Sequence, residues 1–166
     1  MMDRIFRLFQ VAGSSKQGRV SGVSLYPGGY SADNRTMLLY KLDEGEGSVA
    51  EDYSDKGNNG EILGCQWAWG KYGSSLGYDG ILDHTVTPHD TVLNLRNTET
   101  DDFTVEAYVL PYSRDTYRIV EKPDAYYLSV FKHGGSSSLV RFKAGIWNSG
   151  SLYEIQTLLH YQIGQW

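Results

Sequence analysis

The stretch FTVEAYV, residues 103–109, sets Phe103, Val105, Ala107 and Val109 on one side of an extended chain and Thr104, Glu106 and Tyr108 on the other. Successive side chains of a strand point to opposite faces, so this alternation describes a strand with one face in a core. Runs of the same kind recur outward from it, beginning at residue 36: TMLLYKL (36–42), EILGCQWAW (61–69), SSLGYDG (74–80), TYRIVEK (116–122), AYYLSVF (125–131), SLVRFKAGIW (138–147) and LYEIQTLLHY (152–161). None sustains a helical period, and turn residues separate them. The expectation is an all-β fold, an antiparallel β-sandwich or jelly roll.

Composition agrees. The 166 residues suit one domain able to bury its own core, and 19 glycines with 13 tyrosines beside 5 phenylalanines favour short strands and turns. The single cysteine, Cys65, excludes an internal disulfide, and no Cys/His pattern of a zinc site occurs. Residues 1–35 carry Arg4, Arg7, Lys16, Arg19 and Arg35 against Asp3 and Asp33, so the net charge of −5 resides wholly in the remainder. An acidic body without a basic stripe argues against nucleic acid as a partner.

Residues 1–35 read as an arm or linker with an anchoring or assembly role, ahead of a domain over 36–166. Its stretch GSSKQGRVSGVSLYPGGYSADNR (13–35) has turn and linker composition. The residues before it suit either a short helix or an extended strand, Ile5 to Phe9, docked on a partner. Arg7 and Gln10 interrupt the apolar run that a signal peptide needs, and no stretch is long and apolar enough for a membrane-spanning helix.

The acidic segment LDEGEGSVAEDYSDKGNNG (42–60) holds six carboxylates, one cation, Lys56, and four glycines. An EF-hand loop starting at Asp52 would put Lys56 and Leu63 at ligand positions, which excludes it. Gly45, Gly47, Gly57 and Gly60 instead suit tight turns with positive φ, and Asp52, Ser54, Asp55, Asn58 and Asn59 suit side-chain bonds to their own backbone. The histidines His84, His89, His133 and His160 have no catalytic spacing, and no GxSxG, phosphate loop or dinucleotide fingerprint occurs. In the ExDxxE pattern of laminarinase-like jelly-roll enzymes, Glu99 and Asp101 are followed by Thr104 where the second glutamate belongs.

Taken in order, LLYKLDEGEGSVAEDYSDKGNNGEI, WGKYGSSLGYDG, LDHTVTP, LNL, DDFTVEAYVLP and RIVEK resemble the laminin-G-like jelly roll of the concanavalin A-like lectin and glucanase superfamily over residues 37–166. The resemblance implies two antiparallel sheets packed face to face, with Glu106 in a structural hydrogen-bonding role, and further strands beyond Trp166. It also implies a non-catalytic carbohydrate-binding, adhesion or structural module on a larger assembly, such as a phage virion or tail component, or at the cell surface or outside the cell. The alternative is a secreted polysaccharide-acting glycoside hydrolase or a lectin module of a bacterial surface protein. Partners would be a glycan or cell-surface polysaccharide, and other proteins of the assembly through the arm. A sugar site needs an aromatic plate and nearby amides or carboxylates. Trp69, Tyr112, Tyr117, Tyr127 and Trp147 are candidate plates, with Asp124 and Asn148 as polar neighbours, although tyrosines in strands also serve simply as sandwich residues. Some related domains hold a structural calcium ion near such an acidic loop, which makes Asp43, Asp52 and Asp55 candidate ligands, with solvated turn carboxylates as the alternative.

Overall fold

The computed structural model describes residues 4–8, 32–70, 73–94, 103–112, 116–132 and 139–164, with the side chains of 4–8, 103 and 132 left aside. The fold is all-β. Its strands are β1 (Arg4–Leu8), β2 (Thr36–Tyr40), β3 (Val49–Ala50), β4 (Gly60–Leu63), β5 (Gln66–Gly70), β6 (Gly73–Gly77), β7 (His84–Val86), β8 (Phe103–Glu106), β9 (Tyr117–Lys122), β10 (Tyr126–Lys132), β11 (Leu139–Asn148), β12 (Ser151–Gln156) and β13 (Tyr161–Gln162). A 3₁₀ turn, Thr91–Leu93, is capped by the Asp90 side chain, which accepts from the Val92 N–H.

Antiparallel pairing dominates. The largest sheet runs β12-β11-β10-β9, with β13 also on β11; β3-β4-β7 and β5-β6 form two smaller ones. The exception is the sheet β2-β1-β8, in which β1 pairs in parallel with both neighbours and Phe6 lies opposite Leu38 on one side and Val105 on the other. Of the two expectations for the first residues, the extended strand is the one realised, and its partners are β2 and β8 of the same chain. The Gly/Ser-rich remainder of the arm, residues 9–31, lies outside the described residues.

Two apolar clusters hold the sheets together. Tyr40, Leu42, Ala50, Ile62 and Leu76 form the first, with Trp67 and Tyr78 packed against it. Ile119, Val130 and Val140 form the second, flanked by Ala107, Val109, Leu128 and Phe142. Tyr78 touches both clusters and so joins them. Ala107 and Val109 turn toward the core as their alternation requires; the side chain of Phe103, expected beside them, lies outside the described residues. Burying an aliphatic side chain of this size is worth about 1.5–3 kcal/mol, so these few residues carry much of the stability.

The glycine expectations divide. Gly45, Gly47 and Gly57 have φ of 75°, 86° and 70°, conformations that L-residues with a Cβ rarely adopt. Gly60 does not: it sits in β4, where a Cβ would lie 2.8 Å from both the Tyr40 hydroxyl and the Thr85 methyl, so close approach is what requires glycine there. Among the described residues no helix is long and apolar enough to cross a membrane.

Candidate functional site

The order of the large sheet brings two hairpin turns to one end. β9 and β10 are joined across Pro123, Asp124 and Ala125, with Asp124 at φ 57°. β11 and β12 are joined by Ser149 and Gly150, both at positive φ as a two-residue primed turn requires. The Trp147 N–H donates to the Ala125 carbonyl at 2.8 Å, which stitches the two turns together. Asp124, Trp147 and Asn148 are thereby gathered at one sheet end, with Tyr127 just inside it. The carboxylate and the amide are exposed and the indole is half-buried.

Tyr127 plays a different part from the expected plate. It is only 3% exposed and lies over Gly145, its partner on β11, where a Cβ would come within 2.3 Å of the ring. The Arg118 guanidinium covers the ring at 3.7 Å from its centroid, an attractive cation–π arrangement, and the Trp147 ring meets it edge-on at 5.6 Å. Its hydroxyl donates to Glu154, which also accepts from Lys143 Nζ at 3.3 Å. Burial and this carboxylate push the Tyr127 phenol up, while the bond from Tyr127, aided by Lys143, holds the Glu154 carboxyl below its ordinary range. Tyr127 is a pinned post that fixes Trp147, and the ring left for a ligand is the indole.

The other candidates lie apart. Trp69 on β5 is 85% exposed, on a separate two-stranded sheet. Tyr112 is half-buried beside Pro111, whose carbonyl accepts from the Gly164 N–H at 2.7 Å. Tyr117 stands at the opposite end of β9 from Asp124 and packs against the second core cluster. Sequence reasoning missed Arg118, Lys143 and Glu154, because placing them around Tyr127 needs the register of four strands. The only signal for them was alternation within TYRIVEK, SLVRFKAGIW and LYEIQ.

In the acidic loop the three aspartates do separate work. Asp52 Oδ1 accepts from the Leu39 N–H (2.9 Å) and the Ser54 N–H (2.9 Å), and Oδ2 from the Asn58 N–H (2.8 Å) and the Ser54 hydroxyl (2.7 Å). Four donors use the acceptor capacity of one carboxylate. Asp55 is paired with Lys56, and Asp43 accepts from the Tyr53 hydroxyl at 3.4 Å. Among the described residues no three His, Cys, Asp or Glu side chains are grouped as a metal ion would need.

Compared with protein-family models, curated proteins and solved structures, the chain matches none of them.

Proposed function

We propose that this protein is a non-catalytic carbohydrate-recognition or adhesion module of the jelly-roll type, borne on a larger assembly such as a virion or a cell surface. The observation that carries the reading is the junction of Asp124, Trp147 and Asn148 at one end of the large sheet, backed by a Tyr127 held rigid by Arg118 and Glu154. A half-exposed indole gives the apolar face of a sugar ring a surface to stack on, and the exposed carboxylate and amide of Asp124 and Asn148 at the same sheet end are available to the sugar's hydroxyls. Presentation on an assembly rests on the basic, Gly/Ser-rich composition of residues 1–35.

The test is a glycan array followed by calorimetry of the best ligand against the parent, Trp147→Ala and Trp69→Ala. The reading expects at least a tenfold loss of affinity for Trp147→Ala with melting unchanged, little change for Trp69→Ala, and no release of reducing ends from the bound polysaccharide. Affinity that is indifferent to Trp147 overturns the site; turnover overturns the non-catalytic reading.

A further inference from the structure

A second feature adjoins that sheet end. β7 and β9 are each the last strand of their sheet, and residues from both line a cavity of about 560 Å³. Ligand cavities span about 300–1,000 Å³, and one of roughly 150 Å³ already holds benzene, so there is room for two fused rings with a side group. Much of the lining is apolar, with Leu38, Leu42, Leu93, Val105 and Ile119 among its residues.

The charged groups of the lining are mostly engaged. Arg118 pairs with Glu121 at 3.3 Å and covers Tyr127; Asp83 accepts from the Asp79 N–H at 2.8 Å; His84 Nδ1 lies 2.6 Å from the Leu82 carbonyl. Lys122 differs, for its partner is the Nδ1 of exposed His89 at 3.4 Å, and among the described residues no carboxylate pairs with it. Lysine has no acceptor, so its ammonium supplies the proton of that contact and His89 keeps its own on Nε2. The lining therefore holds two neighbouring donor groups, one of them cationic, beside an apolar chamber.

We propose that this cavity binds a small molecule with an apolar, ring-sized body and one carboxylate, the body seated among Leu93, Val105 and Ile119 and the carboxylate on Lys122 and His89. The proposed contacts differ from those of the sheet-end site, although the two sites adjoin: Lys122, Pro123 and Tyr126 of the lining flank Asp124, and Arg118 lines the cavity as well as covering Tyr127.

The probes are 2-naphthaleneacetate and its neutral amide, titrated calorimetrically into the full chain. The acid is expected to bind one to one, at least tenfold tighter than the amide. Lys122→Met should bring the acid down to the amide's affinity and leave the amide unchanged, while Leu93→Trp, which fills the chamber, should abolish both. Absence of saturable binding of either probe overturns the proposal. So does an acid-to-amide ratio that Lys122→Met leaves intact, a variant at a partly exposed strand end that does not depend on repacking the core.

Discussion

Replacing Asp52 by alanine removes the hub of the acidic loop without touching an apolar contact of the core. Two of its four donors are the backbone N–H groups of Leu39 and Asn58, residues 0% and 6% exposed, and neither can turn to water once the carboxylate is gone. A buried donor left unpaired costs about 1–3 kcal/mol, and more when the lost partner was charged; the two Ser54 groups, half-buried, recover part of their loss through solvent. The sum is about 3–5 kcal/mol, a large share of the roughly 5–15 kcal/mol that a domain has. Asp52→Asn keeps one oxygen for Leu39 and Ser54 but sets an NH₂ against the Asn58 N–H, and should lose about half as much. Urea unfolding followed by tryptophan fluorescence measures both. A midpoint for Asp52→Ala equivalent to less than about 0.5 kcal/mol from the parent would refute the reasoning, because it would mean that the loop's backbone donors do not depend on this carboxylate.

Gly145→Ala drives a methyl into the Tyr127 ring, which Arg118 and Glu154 pin in place, and should destabilise by about 1–3 kcal/mol in a thermal melt; an unchanged melt contradicts that packing. Calcium and chelator should give coincident melts, since Asp52 already accepts four hydrogen bonds and Asp55 is paired with Lys56; a calcium-dependent rise would show the loop rearranging around an ion. Burial pushes the phenols of Tyr40 and Tyr126 up to about 12, so the folded state holds their protons more tightly than the unfolded chain, where tyrosine titrates near 10. Their contribution is whole below pH ~10 and is lost as pH rises toward 12; urea midpoints should fall across that window, and by less in Tyr126→Phe than in the parent.

How far the chain could be read in advance differs from element to element. Ala107 and Val109 were legible because alternation is local: a strand declares its inner face within a few residues. The turn role of Asp52 was legible for the same reason, since two of its four bonds go to Ser54. The pairing of β1 was not, because parallel insertion between β2 and β8 depends on strands about 30 and 100 residues away and its apolar run is broken by Arg7, which left helix and strand both open. The candidate plates show the same limit. Tyr127 and Trp147 look alike in sequence, yet one is covered by Arg118 from a neighbouring strand and the other is left half open. Asp124 and Asn148 were nominated as polar neighbours, but that they share one sheet end with Trp147 depends on two hairpins ending together. The cavity drew on residues scattered from Leu38 to Tyr126, beyond the reach of any local pattern.

The most direct test of a carbohydrate site at the sheet end is a two-dimensional nitrogen–proton spectrum recorded while the glycan selected on the array is titrated in. Each tryptophan contributes one indole N–H signal, so Trp147 and Trp69 can be followed separately in a single experiment. The account predicts saturable shifts of the Trp147 indole, the Asn148 side-chain amide and the Asp124 backbone N–H, with Trp69 unmoved. Shifts confined to Trp69, or a spectrum that the glycan leaves unchanged around β10 and β11, would contradict it.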